Sequence, residues 1–166
     1  TESEPKFCQW IQGIESFDCV ILNAGVLGKI KDIQDCSMEA LKETMEINVW
    51  SNKWILDACL AEDRSIKQVI GISSGASLSG SRGWNGYSLS KAALNMLMKL
   101  YASENPKVHF TAFAPGLVDT IMQDQLGEVC TKDFPAVQAL HDAKGTDHMP
   151  NPNNFAPQFD ASLEKM

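Results

Sequence analysis

The sequence lacks any apolar run near the ~20 residues that a membrane-spanning helix needs. It is also short of basic residues: 14 Lys and Arg stand against 21 Asp and Glu, for a formal charge of −7 at pH 7. The basic residues form no cluster, which argues against binding to a phosphate backbone. We therefore expect no nucleic-acid partner and no membrane partner.

The sequence has no C-x-x-C pair, and its five cysteines are not grouped with its three histidines. This pattern supports neither a zinc site nor a disulfide framework, so no metal is expected. The interpretation that remains is five reduced, buried thiols, which indicates a reducing, cytoplasmic location. The residues are Cys8, Cys19, Cys36, Cys59 and Cys130.

What the sequence does have is an ordinary share of apolar residues, 44% of 166, enough for one domain (1–166) with a hydrophobic core. Periodicity predicts helices at 5–15, 37–62, 87–104 and about 120–128, and buried strands at 17–25, 67–74 and 108–116. Ser37 is a predicted N-cap. The alternation predicts a parallel α/β sheet with right-handed crossovers, followed from Thr131 by loop or flap.

The segment 71–94 admits two interpretations. Gly71 to Gly75 fits the G-x-S-x-G pattern of a hydrolase elbow, with Ser73 as the nucleophile. That site needs a helix directly after the strand and a histidine beyond it. Residues 75–86 instead predict a loop, and the histidines fall in a predicted strand or in the weakly patterned tail. A serine hydrolase is therefore the weaker alternative.

The same segment carries Tyr87 and Lys91, spaced i and i+4 on a predicted helix and therefore on one face. A neighbouring ammonium favours a phenolate, so we expect Lys91 to lower the pKa of Tyr87. Such a phenol suits proton exchange with an alcohol or carbonyl oxygen. Ser74, at the end of the preceding strand, is expected to offer a hydroxyl donor to the same oxygen.

Five ordered motifs make the chain similar to the short-chain dehydrogenase/reductase family over about residues 17–123. They are Asn23-Ala24-Gly25, Asn48 in "EINVW", Ser74 thirteen residues before Tyr87, Tyr87-x-x-x-Lys91 in "YSLSKAA", and "PGLVDT" from Pro115 to Thr120. The resemblance implies a Rossmann-like, doubly wound parallel sheet in three α/β/α layers. This chain would supply only the half formed by strands 4-5-6.

The resemblance also implies roles. Tyr87 would be the general acid or base, Lys91 its pKa partner and a ligand of the nicotinamide ribose, and Ser74 would orient the substrate carbonyl. Asn48 would anchor a water that relays protons to Lys91. The residues implied to contact the cofactor are Asn23, Ala24, Gly25, Tyr87, Lys91, Pro115, Gly116, Val118 and Thr120, with Thr120 also a candidate N-cap.

Within the family, the chain looks most like the sepiapterin reductase and benzil reductase group, through Gly83-Trp84, Asp119-Thr120 and Met122-Gln123. This implies reduction of a small ketone or dicarbonyl (or the reverse oxidation), with NADP(H) more than NAD(H). Gly75 and Trp84 are the implied substrate contacts, under a flap at 121–155. The helices 37–62 and 87–104 resemble those that pair subunits, which implies a homodimer or homotetramer.

The phosphate-binding T-G-x-x-x-G-x-G of that family does not occur in the sequence, and only 22 residues precede Asn23. The segment "CVILN" would also be an apolar edge strand. We therefore expect a chain truncated at both ends, which alone binds dinucleotide poorly and is inactive. The competing hypothesis is a non-catalytic binding or regulatory protein on the same fold.

Overall fold

The structure, a computed structural model, describes residues 3–61, 64–127 and 129–163. Its strands are β1 (Ser16–Leu22), β2 (Ser65–Ile72) and β3 (His109–Phe113). Its helices are α1 (Ser3–Trp10), α2 (Met38–Met45), α3 (Ser51–Leu60), α4 (Ala76–Ser79), α5 (Asn85–Glu104), α6 (Ile121–Asp124), α7 (Pro135–Ala143) and α8 (Pro152–Leu163). The predicted helix ends at residues 62 and 128 lie outside the described residues.

The three strands form one parallel sheet in the order β1-β2-β3, with Val20 opposite Val69 and Val69 opposite Phe110. Each crossover carries a helix, as parallel pairing requires. The predicted Rossmann-like α/β fold of parallel strands with flanking helices is confirmed. Within the described residues, β1 pairs only with β2, so it is an edge strand, and Ile21 on it is 46% exposed.

The main core lies between this sheet and α1, α3 and α5. Gly71 on β2 permits the closest approach: a Cβ there would lie 3.1 Å from Met98 Sδ and 3.6 Å from Leu94 Cδ1 on α5. Buried members of this core include Ile11, Leu22, Leu56, Cys59, Ile66, Val69, Leu94 and Met98.

The long predicted helix forms, but it is interrupted by a π-helical turn at Glu46–Trp50 between α2 and α3. Ser37 is its N-cap as predicted, since Ser37 Oγ accepts from Ala40 N at 3.2 Å. In the wide turn the Ser51 N–H reaches back five residues to the Glu46 carbonyl. Such turns insert one extra residue into a helix and are frequent at functional sites. This one contains Asn48.

Several large apolar residues of the predicted helices are exposed. Trp10 is 74% exposed because α1 ends there, and Ile11 in the following turn enters the core instead. Met38 is 60% exposed at the start of α2, and Met96 and Leu100 are about half exposed on the outer face of α5. The buried-thiol prediction is also wrong for most cysteines: Cys59 is buried and Cys36 partly so, but the other three are exposed.

The loop predictions were wrong in two places. Residues 75–86 contain a one-turn helix, α4. Beyond Thr131 the chain forms α7 and α8, although prolines begin both helices and Pro157 lies inside α8. Both helices are stabilised by packing that local sequence pattern does not reveal. On α7, Val137 joins a buried cluster with Tyr87 and Leu126, and on α8, Phe159 packs against Phe113.

In the described part of the chain, no helix is both long and apolar enough to span a bilayer.

Candidate active site

A cavity of about 680 Å³ opens where β1, β2 and β3 end. Asn23 follows β1, Ser74 follows β2 and Pro115 follows β3, and all three line the cavity. Open α/β sheets bind ligands at this carboxyl edge because the loops there converge.

The cavity brings together most of the residues predicted from the sequence. Those that line it are Asn23, Gly25, Ser74, Gly75, Trp84, Tyr87, Lys91, Pro115, Gly116, Val118 and Thr120. Ala24 and Asn48 are not among its lining residues, and Asn48 is fully buried behind the loop that follows β1. Thr120 occupies the N-cap position of α6 but makes no side-chain capping bond.

Tyr87 lies in the first turn of α5 and is 9% exposed. Burial raises the pKa of its phenol, and a hydrogen bond with the Ser74 side chain opposes that rise. The Trp84 ring lies beside it, with centroids 6.3 Å apart. Tyr87 and Ser74 both line the wall of the cavity.

Lys91 lies one helical turn further on and is 4% exposed. Its Nζ donates to the Ile72 carbonyl at 2.6 Å and lies 5.6 Å from the centroid of the Tyr87 ring. Burial lowers the pKa of Lys91 to about 8. The expectation that Lys91 lowers the pKa of Tyr87 is not met here, because burial dominates for both groups and only Ser74 acts in that direction.

Asn48 is bonded to the loop that forms the cavity floor. Its Oδ1 accepts from Val26 N at 2.8 Å, and its Nδ2 donates to the Val26 carbonyl and to Ser90 Oγ, both at 2.9 Å. The Asn48 carbonyl accepts from Asn52 Nδ2 at 2.8 Å. Asn48 thus fixes the geometry of the loop after β1. That Asn48 anchors a water which relays protons to Lys91 remains a prediction.

Ser73 is buried and also lines the cavity, but its hydroxyl is bonded to another side chain. Its Oγ donates to Asn95 Oδ1 at 2.5 Å, and Asn95 Nδ2 donates to Ser77 Oγ on α4 at 2.9 Å. In the described residues the Ser73 hydroxyl is thus bonded to an amide rather than to a histidine. This arrangement fixes the backbone that presents Ser74, and it lacks the base that a nucleophilic serine needs.

Gly25 and Gly116 both line the cavity. A Cβ at Gly25 would lie 3.4 Å from Asn48 Oδ1 and 3.5 Å from Lys91 Nζ, so the absence of a side chain leaves that space open. Across the cavity, Gly116 adopts φ +81°, a left-handed conformation that favours glycine. These residues fit the nicotinamide end of a dinucleotide.

The outer wall of the cavity consists of residues that the sequence patterns did not indicate. Leu126, Ala136 and Leu140 line it from α7 and the turn after α6, and Phe155 and Phe159 line it from α8. The two phenylalanines stack with centroids 6.0 Å apart. Their i, i+4 spacing was the available helical signal, and the surrounding prolines hid it.

No group of three or more His, Cys, Asp or Glu side chains that could hold a metal ion occurs among the residues that the structure describes.

The fold and the position of the cavity are those of a Rossmann-like α/β domain. The family model for short chain dehydrogenase matches residues 4–130. The chain is 34% identical over 122 residues to benzil reductase ((S)-benzoin forming) of Bacillus cereus, covering 69% of this chain and 49% of the relative. It is 32% identical over 136 residues to sepiapterin reductase of Bos taurus, covering 75% and 49%.

Among solved structures, the KRED1-Pglu enzyme superposes with a TM-score of 0.81 at 27% identity, covering 98% of this chain and 69% of that one. The chain belongs to the short-chain dehydrogenase family. It spans about half the length of the curated relatives that it matches.

Proposed function

We propose that the protein containing this chain reduces a small ketone or vicinal dicarbonyl to the alcohol in the cytoplasm, with NADPH preferred over NADH. Membership of the family supports oxidoreductase chemistry. The observation that carries the proposal is that Ser74, Tyr87 and Lys91 line one cavity at the ends of the strands, with Lys91 Nζ 5.6 Å from the centroid of the Tyr87 ring.

In this proposal Tyr87 gives its hydroxyl proton to the carbonyl oxygen, and Ser74 Oγ donates a hydrogen bond to the same oxygen. When bound, the nicotinamide supplies the hydride that the carbonyl carbon receives. Gly25, Pro115, Gly116, Val118 and Thr120 would hold its ring and carboxamide, and Lys91 its ribose. The raised pKa of Tyr87 keeps the phenol protonated near neutral pH, which suits the direction of reduction.

The substrate class rests on the cavity wall. Trp84, Leu140, Phe155 and Phe159 surround the space next to Tyr87 with aromatic and aliphatic surface, which favours a flat, largely apolar carbonyl compound. The relatives named benzil reductase and sepiapterin reductase point the same way. Segment 121–155, which supplies part of this wall, would be the substrate flap.

Substitution Tyr87→Phe tests the chemistry. We expect kcat for carbonyl reduction to fall by roughly 10²–10⁴-fold, because the proton donor is lost. Tyr101→Phe is the matched control, since Tyr101 bonds Asp57 in the core, away from the cavity, and should leave kcat nearly unchanged. Retained turnover in Tyr87→Phe would remove Tyr87 from its role.

Turnover of benzil and of sepiapterin by the wild-type protein with NADPH tests the substrate class. Turnover of either supports the proposal. No turnover of any carbonyl, together with intact binding of NADPH, would instead favour the non-catalytic binding protein on this fold.

We also propose that the protein pairs with a second copy through α2–α3 and α5. Five apolar side chains on these helices are between 47% and 60% exposed: Met38, Trp50, Leu89, Met96 and Leu100. A set of this kind is typical of an interaction surface. Replacing Met96 and Leu100 by Glu should convert the oligomer to a monomer in light scattering, and a monomeric wild type would contradict the proposal.

A further inference from the structure

Arg82 joins three segments that are distant in sequence. Its Nε and Nη2 donate to the two carboxylate oxygens of Asp32, each at 2.6 Å, in a bidentate pair. Its Nη1 donates to the Asp133 carbonyl at 3.1 Å, and its guanidinium lies over the Phe134 ring, 5.4 Å from the centroid. One side chain thus links the loop after β1, the turn before α5 and the start of α7.

The backbone next to Arg82 is shaped to receive this contact. Gly83 adopts φ +95°, and a Cβ there would lie 2.7 Å from Phe134 Cδ1 and 2.8 Å from Ile30 Cγ2. Asn85 Nδ2 adds bonds to the carbonyls of Lys29 and Lys31, at 3.1 and 3.0 Å. The Phe134 ring is therefore packed onto the backbone directly before Trp84 and Tyr87.

Phe134 immediately precedes α7, the helix that brings Ala136 and Leu140 to the outer wall of the cavity. α7 lies far along the chain from α5, so its distance from Tyr87 depends on such cross-links. The Arg82 guanidinium is bidentate to a carboxylate and stacked on an aromatic ring, two geometries that favour Arg over Lys.

We propose that Arg82 is a positioning residue that holds α7 against the turn before Trp84 and Tyr87 and so sets the width of the substrate pocket. The proposal rests on the proposed reductase function for its kinetic consequence. Arg82 is 59% exposed and Asp32 28%, so the ion pair by itself adds little to global stability. Its effect is local, on the placement of the wall.

The kinetic prediction follows from which residues Arg82 does and does not contact. Lys91 is held by the Ile72 carbonyl, and Asn48 by Val26, so the catalytic groups keep their own supports. In Arg82→Leu we expect KM for the carbonyl substrate to rise about 5- to 20-fold, with kcat within about threefold and KM for NADPH within about twofold.

Two milder variants separate this effect from misfolding. Arg82→Lys keeps the positive charge but loses the bidentate pair with Asp32. Asp32→Asn weakens that pair but keeps the guanidinium over the Phe134 ring and bonded to the Asp133 carbonyl. Each should raise KM less than Arg82→Leu does. The double variant Arg82→Leu with Asp32→Asn should be no worse than Arg82→Leu alone, because both act on one contact. Lys67→Ala is the control, since it breaks an exposed ion pair with Asp18.

Limited trypsin digestion tests the placement without turnover, because Lys132 and Lys144 flank α7. Cleavage after these lysines should be several-fold faster in Arg82→Leu and Asp32→Asn than in wild type and Lys67→Ala. Unchanged cleavage, or a fall in kcat at constant KM, would overturn the proposal. If the wild type reduces no carbonyl, the reductase function fails and the cleavage rates alone decide the role of Arg82.

Discussion

Asn48 and Val26 are joined by two reciprocal hydrogen bonds, one from each residue to the other, of 2.8 and 2.9 Å. The Asn48 side chain thus bonds both polar groups of the Val26 backbone, as the backbone of a neighbouring strand would. Without it, the amide N–H and the carbonyl of Val26 would lose this partner.

Substitution Asn48→Leu should therefore cost about 2–5 kcal/mol in the free energy of unfolding, because it leaves two polar backbone groups unsatisfied. Chemical denaturation measures this. Glu43→Gln, on the exposed side of α2, should change the value by less than about 0.5 kcal/mol. Equal effects for the two variants would show that the Val26 contact contributes nothing to stability.

Lys91 makes stability depend on pH. Its pKa is about 8 in the fold against 10.5 for an ordinary lysine side chain, so between those values the unfolded chain binds more protons and stability rises with pH. Below pH 8 the fold bears the full cost, up to about 3 kcal/mol for a shift of this size.

Lys91→Met should thus raise the free energy of unfolding at pH 7 in the absence of cofactor, less the lost bond to the Ile72 carbonyl. The gain should shrink towards zero at pH 10. Lys67→Met, at an exposed site, should show no such trend. A gain that is equal at both pH values would contradict the assigned pKa direction.

Alanine substitutions of Ser73 and Ser74 should have different effects, one on stability and the other on the pH profile of the reaction. Ser74→Ala removes the one hydrogen bond that lowers the pKa of Tyr87, so the alkaline rise in alcohol oxidation should move to higher pH. Ser73→Ala breaks the bond to Asn95 and should lower stability by about 1–3 kcal/mol without moving that profile. A shifted profile in Ser73→Ala alone would reverse the assignment.

Gly83→Ala should be strongly destabilising, by about 2–4 kcal/mol, because the new methyl group meets Phe134 and Ile30 in a left-handed backbone. Gly145→Ala is the matched control: its φ is +78°, but nothing lies within 4 Å of the added Cβ. Thermal unfolding compares them. Similar losses in the two variants would mean that crowding by Phe134 plays no part.

Helices, strands and site residues could be predicted from the sequence where they depend on local pattern. The strands at 17–25, 67–74 and 108–116 and the helix at 87–104 are present within a few residues of their predicted bounds. Ser74, Tyr87 and Lys91 meet as expected, because a strand end and one helical turn suffice to place them.

Features that depend on contacts between distant parts of the chain could not be predicted from the sequence. The wide turn at Glu46–Trp50 depends on bonds from Asn48 to Val26 and from Asn52 to Asn48, which no periodicity records. α7 packs into the cluster around Tyr87, and α8 packs through Phe159 against Phe113 on β3. The pKa of Tyr87 rises rather than falls because burial, a tertiary property, outweighs the opposing effect of the Ser74 side chain.

The wide turn at Glu46–Trp50 has a consequence for how this chain tolerates changes of length. Removing one residue there, for instance Ile47, would convert the turn to ordinary α-helix and so relieve a local irregularity. The halves on either side would keep their facing, because the wide turn already absorbs the extra residue, and only the residues inside the turn would be re-aimed. The shortened protein should keep its helical content by circular dichroism, yet the amide that supports the cavity floor would face another direction.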